Sequence, residues 1–410
     1  MNSTLPAAGS ARAARPARVA AVIVVLAGVS AALHVGKLPP ALPLLREAFA
    51  LSLVEAGFLL SLVQLAGMSL GVAVGLLADD IGLRRSMLIG LGTLCCASLA
   101  GGLAGSAAML LLLRAAEGFG LLLTATPAPG LIRRLLAGRG TDAMLGLWSA
   151  YMPLGVAAAL LAGPWLQDAI GWRGWWWLAG ALSLLAAAAL LRLVPRDPPQ
   201  GHAHVAAAGA WKARLQRTLG SGGPWLLALA FAVYSSQWLA VVGFLPSIYA
   251  QAGIGARSGG ALTALVAAAN IIGNIGAGRL LQRGVPARRL LMSGYAAMAL
   301  GAAAAFAPAL DGGALARFAA VLAFSLCGGM VPATLFALSL RLAPDAYTVS
   351  TTVGWMQQCS SAGQLLGPPL VAWVAHRAGG WQWTWACTLA CSLAGMAVGT
   401  ALASTRRAPA

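Results

Sequence analysis

The sequence predicts an all-α polytopic membrane protein, twelve transmembrane helices arranged as two pseudo-symmetric six-helix bundles. Three observations predict it. Of 410 residues, 60% are hydrophobic and only 9% are charged, against roughly a quarter charged in a soluble domain. The apolar residues fall in continuous runs of about 20, the length a helix needs to cross a bilayer, and not in the short alternating segments of a membrane barrel. The two halves of the chain also align with each other at a nearly constant offset.

The runs lie at 19–40, 54–78, 85–105, 108–132, 143–167, 175–194, 224–249, 259–282, 288–308, 314–340, 349–374 and 382–403. The first follows Arg12, Arg15 and Arg18 as a signal peptide would, yet no small-x-small cleavage site precedes a polar mature region. It is read as an uncleaved helix. The resulting domains are an N-terminal tail (1–18), an N-terminal bundle (19–195), a polar central loop (196–223), a C-terminal bundle (224–403) and a C-terminal tail (404–410).

Connections alternate between basic and nearly uncharged. Arg84 and Arg85, then Arg133, Arg134 and Arg139, the stretch Arg192 to Arg217, then Arg283, Arg288 and Arg289, and finally Arg341 fall on one side. The positive-inside rule puts that side, both termini and the central loop in the cytoplasm, which implies a bacterial inner membrane. The net charge of +17 is thus divided into short clusters between apolar runs and forms no single face for nucleic acid. All six cysteines lie inside apolar runs, as small buried hydrophobes do. His202 and His204 are two loop histidines without further ligands, so neither a metal nor a cofactor is expected.

At an offset of 203 residues Pro43 aligns with Pro246, Gly57 with Gly260, Gly75 with Gly278, Arg114 with Arg317 and Pro129 with Pro332; at 204, Gly163-Pro164 aligns with Gly367-Pro368. An ordered series of this kind across a whole half indicates a parallel repeat, the architecture of transporters built from two like bundles.

The segment Gly75-Leu-Leu-Ala-Asp79-Asp80-Ile-Gly82-Leu83-Arg84-Arg85 resembles the signature loop of the major facilitator superfamily, in its expected place between spans two and three. Arg114-Ala-Ala-Glu117-Gly118-Phe-Gly120 resembles that superfamily's Arg-x-x-x-Gly-x-Gly motif, and Gly155 with Gly163-Pro164, and Gly363 with Gly367-Pro368, resemble its glycine–proline helix motif. Asp80 and Leu83 replace usual basic residues, and the fifth span lacks the glycine pair after its proline, which points away from the drug-antiporter branch. The pattern is nearest to cyanate-permease-like members. The resemblance implies that Asp79, Arg84 and Arg85 latch a cytoplasmic gate, with Gly75 and Gly82 permitting close approach; loop charges that only set topology are the alternative.

Charges inside a membrane run cost a few kcal/mol and are functional candidates by default. Arg114 and Glu117 share one helix face, as do His34 and Lys37. Glu117, the one carboxylate well inside a run, is the candidate proton carrier; a static ion pair with Arg114 is the alternative. Lys37 either snorkels to the outer interface or joins Arg114 in a positive pocket for a small anion. Gln64, Tyr151, Tyr234, Gln237, Trp238, Asn270, Asn274, Gln357 and Gln358 are expected to line a polar cavity between the bundles or to join helices. The tryptophans at 172, 175, 176 and 177 and at 381, 383 and 385 read as interfacial belts.

A secondary transporter follows: alternating access, a small-molecule substrate, protons as coupling ion, small-anion uptake favoured over drug efflux. It would work as a monomer in the lipid bilayer, without nucleic acid. A channel would need a filter or charged ring, and a membrane enzyme a catalytic motif; neither is found in the sequence.

Overall fold

The computed structural model describes residues 8–136, 144, 147–148, 150–197, 210–308, 313–345 and 348–404, with the side chains of 8–15, 75–81, 210–211, 350 and 403–404 excepted. His202 and His204 lie outside the described residues, as do the side chains of Asp79 and Asp80.

Every described membrane element is helical. Span one is Ala8–Gly36 continued by Leu38–Ala48, and span two is Leu53–Ser61, a 3₁₀ turn Leu62–Gln64 and Leu65–Ile81. Span three is Leu83–Gly102, and span four is Ala107–Ala125 with Ala128–Leu136. Spans five and six run as one stretch, Tyr151–Leu193, broken at Gly171. The second half gives span seven (Gly222–Gln251), eight (Ala256–Gln282), nine (Ala287–Phe306), ten (Gly313–Gly328 and Met330–Leu342), eleven (Val349–Ala378) and twelve (Trp381–Trp383 and Thr384–Ser404). Among the described residues ten stretches are apolar enough to cross a membrane by length and composition alone. Dividing the fifth at Gly171 and adding Val349–Ala378, diluted by Gln357, Gln358 and Gln364, gives the expected twelve.

Two boundaries differ from the sequence reading. Span one does not stop at Pro39-Pro40: both prolines sit in the first turn of a continuing helix, where a missing N–H costs nothing. Span two starts at a capping box, Ser52 Oγ accepting from the Glu55 amide at 3.2 Å and Glu55 Oε2 from the Ser52 amide at 2.9 Å.

The repeat seen in the sequence becomes a crosswise seal between the bundles. A β-carbon on Gly57 would stand 2.9 Å from Pro369 and 3.1 Å from the Pro368 carbonyl carbon, in span eleven. Its repeat partner Gly260 lies equally close to the Leu160 carbonyl and Pro164 of span five. Leu60 and Phe244, each 1% exposed, fill the same end with Trp381, and Gly243 packs on Leu60. Asp168 accepts from Arg257 across the bundles at 2.9 Å, and Arg257 stacks on Trp165. This end, opposite the termini, is shut. The glycines of the helix motif make similar close approaches within each bundle: Gly155 meets Val29 and Ala32, Gly163 meets Pro40, Gly363 meets Ala232 and Gly367 meets Ser236.

At the other end Gly82 takes φ 101°, open to glycine without strain. The helix that starts beside it is capped by Asp197, 113 residues later: Asp197 Oδ1 accepts from the Arg84 amide at 3.1 Å and Oδ2 from the Arg85 amide at 3.0 Å. Arg134 donates to the same carboxylate at 2.7 Å, and Arg84 Nη2 donates to the Leu191 carbonyl at 2.6 Å, in the last turn of span six. Asp197 therefore caps this helix, and Arg84 engages the last turn of span six. Partial burial acts to raise the Asp197 pKa, but the two amides and Arg134 outweigh it and hold the carboxyl below its usual range. A depressed carboxyl contributes stability above its unfolded pKa of about 4, lost as pH falls through the folded value. Asp197→Ala should therefore lower stability by about 1 kcal/mol at neutral pH. Thermal unfolding of both proteins should show the gap narrowing as pH falls below about 4; a gap that does not narrow with acid would refute the cap's electrostatic part.

Candidate functional site

The four charged candidates converge inside the N-terminal bundle. Lys37 and Glu117 form an ion pair through Nζ and Oε1. Arg114 Nη1 donates to Glu117 Oε2 at 2.6 Å and to the His34 carbonyl at 2.7 Å. His34, Lys37 and Arg114 are 0% exposed and Glu117 1%. Snorkelling of Lys37 is excluded, because its ammonium points into the bundle.

Helix geometry explains the meeting. His34 and Lys37 sit on one face of span one, Arg114 and Glu117 on one face of span four. Gly118 draws span four against span two; its β-carbon position falls on the Val63 carbonyl. Leu59 is in the last turn before the 3₁₀ turn, where carbonyls lack helical partners, and Arg114 Nε donates to its oxygen at 3.3 Å. Span three brings Ser98, which accepts from Lys37 at 2.7 Å and donates to the Trp176 carbonyl at 2.7 Å. Span six brings Ser183, 2.8 Å from His34 Nε2 and 3.2 Å from Ser30 Oγ.

Trp175 and Trp176 are not belt residues. Both are buried; the Trp176 ring lies 4.6 Å from Lys37 Nζ, and Trp175 Nε1 donates to the Lys37 carbonyl at 3.2 Å. Trp381 is likewise buried and donates to Gln251 Oε1 at 2.9 Å, while Trp177 and Trp383 are exposed as the belt reading expects. An aromatic cluster beside a span end gives no sequence cue to which rings turn inward. Ser98 and Ser183 were equally silent, since serine in an apolar helix is common.

The uncharged candidates separate into distinct groups. Gln64 Nε2 donates to Gln364 Oε1 at 3.0 Å, and Gln358 Oε1 accepts from the Val72 amide at 3.2 Å, so spans two and eleven are joined across the bundles. Tyr234, Asn270 and Asn274 form a chain in the C-terminal bundle: Asn270 Nδ2 donates to Tyr234 at 3.0 Å and to the Ser325 carbonyl at 2.9 Å, and Asn274 Nδ2 donates to Asn270 Oδ1 at 3.0 Å. Trp238 donates to Ser325 Oγ at 3.0 Å. Tyr151 stacks on Trp148, centroids 4.2 Å apart, away from the charges. Gln357 is exposed and joins none of these groups.

Repeat symmetry survives to a single hydrogen bond. His34 meets Ser183 between spans one and six; its partner Gln237 accepts from Ser392 at 3.1 Å between spans seven and twelve. The charges are not repeated. Ala240 and Ala320 replace Lys37 and Glu117, and Arg317, aligned with Arg114, is exposed. Among the described residues no group of three or more histidines, cysteines or carboxylates could hold a metal.

The sequence model of the Major Facilitator Superfamily matches residues 21–353. The chain belongs to the major facilitator superfamily. Among superfamily relatives, it is 26% identical over 249 residues to the cyanate transport protein CynX of Escherichia coli (strain K12), covering 60% of this chain and 62% of that protein. It is 32% identical over 200 residues to the puromycin resistance protein pur8 of Streptomyces alboniger, covering 48% of this chain and 38% of that one. The chain thus spans less than two thirds of either relative. A 2-nitroimidazole transporter of Escherichia coli (strain K12) is 27% identical over 359 residues, covering 83% and 84%. A bacterial homolog of the human lysosomal transporter Spinster, solved in an inward-facing and occupied conformation, shares the fold with TM-score 0.74 at 18% identity over 95% of this chain and 96% of that one. The protein is a multi-pass membrane protein of this superfamily.

Proposed function

We propose that this superfamily member takes up a small anion with protons by alternating access, as a monomer in a bacterial inner membrane with both termini cytoplasmic. The observation that carries this reading is the charge balance of the buried cluster. Two cations, Lys37 and Arg114, face one carboxylate, Glu117, which leaves one positive charge to be matched deep in an apolar protein. Among the described residues Arg114 Nη2 has no hydrogen-bond partner, so a donor as well as a charge is available to an anion. Both bundles close on this region at the end opposite the termini, and rocking about the glycine–proline contacts would open it.

Cyanate is the first anion to try, on the strength of the relative named above. Uptake into proteoliposomes should be saturable, show counterflow and collapse with a protonophore. Lys37→Ala and Arg114→Ala should each weaken apparent affinity by about 10- to 100-fold, as loss of a charged hydrogen bond does. Uptake indifferent to the protonophore would remove coupling, unchanged affinity in both variants would remove the anion pocket, and missing counterflow would favour a channel. Efflux of a drug or metabolite is the second reading, favoured by the puromycin and nitroimidazole relatives; vesicles loaded with either compound would then export it against a proton gradient.

A further inference from the structure

Glu117 Oε1 is shared. Lys37 Nζ donates to it, and His34 Nδ1 stands 3.3 Å from both that oxygen and Lys37 Nζ. An ammonium has three protons and no lone pair, and three acceptors surround it: Ser98 Oγ, Glu117 Oε1 and His34 Nδ1. That arrangement leaves the imidazole neutral, its Nδ1 lone pair turned toward Lys37 and its Nε2 proton given to Ser183. The groups facing His34 are Lys37 on its own helix, Arg114 and Glu117 from span four and Ser183 from span six.

We propose that His34, and not Glu117, carries the coupled proton, and that taking it up hands the Glu117 carboxylate from Lys37 to His34, leaving Lys37 and Arg114 Nη2 to hold the anion. This rests on the anion-uptake reading above. The proton comes from water and bonds to Nδ1; the new N–H faces Glu117 Oε1 and repels the neighbouring ammonium, which keeps Ser98. The cluster then carries two net positive charges, and one monoanion returns it to one. A proton and a monoanion cross together without net charge. Protonation of either His34 or Glu117 gives the same sum, so intrinsic basicity decides, and an imidazole exceeds a carboxylate by about two pH units. Protonating Glu117 would also loosen two ion pairs at once, where His34 exchanges only one.

The second half already holds the control. Gln237, at the repeat position of His34, keeps the bond to the span-twelve serine with a group that takes no proton. His34→Gln therefore copies an arrangement this fold accepts. In proteoliposomes the wild type should take up cyanate faster by up to about tenfold per pH unit of external acidification, the limit for one required proton. His34→Gln should keep saturable counterflow at a reduced rate but lose that slope. In [¹⁵N]histidine spectra of the full chain, with four imidazoles in all, the resonance missing from His34→Gln should change from neutral to imidazolium at neutral pH when cyanate is added. A wild-type slope in His34→Gln, or an imidazole that stays neutral with saturating cyanate, overturns the assignment and leaves the anion reading standing. A wild type that neither takes up nor exchanges cyanate overturns the anion reading for this probe, and the His34 assignment with it.

Discussion

Glu117→Gln is expected to destabilise the protein by about 3–5 kcal/mol, the cost of leaving buried charge without its partner. The glutamine has the shape of the glutamate but no charge, so Lys37 and Arg114 would face each other with no negative charge between them. Arg114 retains the His34 and Leu59 carbonyls; Lys37 retains Ser98, His34 Nδ1 and the Trp176 ring, none of them charged. Lys37→Met alone leaves the Arg114–Glu117 pair intact and should cost less. The combination Lys37→Met with Glu117→Gln should be more stable than Glu117→Gln, because it removes the cation that lost most. Thermal unfolding in detergent of the four proteins gives the cycle, and strictly additive losses would show that the two groups do not act on each other. The same proteins separate a static pair from a coupling site. A double variant that folds and transports with the wild-type pH profile would make the cluster structural.

Much of this was legible in the sequence because it rests on periodicity and cost. Apolar runs have to be about a bilayer long, and a charge inside one has to face protein, so His34, Lys37, Arg114 and Glu117 stand out in a chain where only 9% of residues are charged. Spacing put each pair on one face but leaves open how spans one and four are rotated about their axes. The ambiguity of Lys37 was that rotation, and it is resolved by Gly118 and Gly155, which let neighbouring helices approach closely. Asp197 was illegible for a different reason. It is one of several polar residues after span six, and its partners are backbone amides more than 110 positions earlier, which leave no mark on side-chain pattern. Of the polar residues expected to line a cavity or to join helices, Gln64 and Gln358 join spans two and eleven, and Tyr234, Asn270 and Asn274 form a chain inside the second bundle.

Tryptophan at Gly57 or Gly260 is expected to abolish net uptake by wedging the sealed end open. Both glycines lie where the bundles touch, one against Pro368 and Pro369, the other against Leu160 and Pro164. The atoms a side chain would strike are backbone and proline ring, which cannot swing aside as a long side chain can. Overpacking a tight contact costs about 1–3 kcal/mol, and about 1.4 kcal/mol shifts a two-state balance tenfold. The two bundles can relieve the strain by parting at this end, where the Asp168–Arg257 pair is about half exposed and holds weakly. A cysteine at Leu60, otherwise buried beside Gly243, reports the change if the native cysteines are first replaced. A membrane-impermeant maleimide should label it in both tryptophan variants and spare it in the parent. Since Gly57 and Gly260 are repeat partners acting on repeat partners, the two variants should give the same result. Labelling in only one would mean that the seal opens by a local swing of one helix pair, and labelling in neither would mean that the glycines serve packing alone.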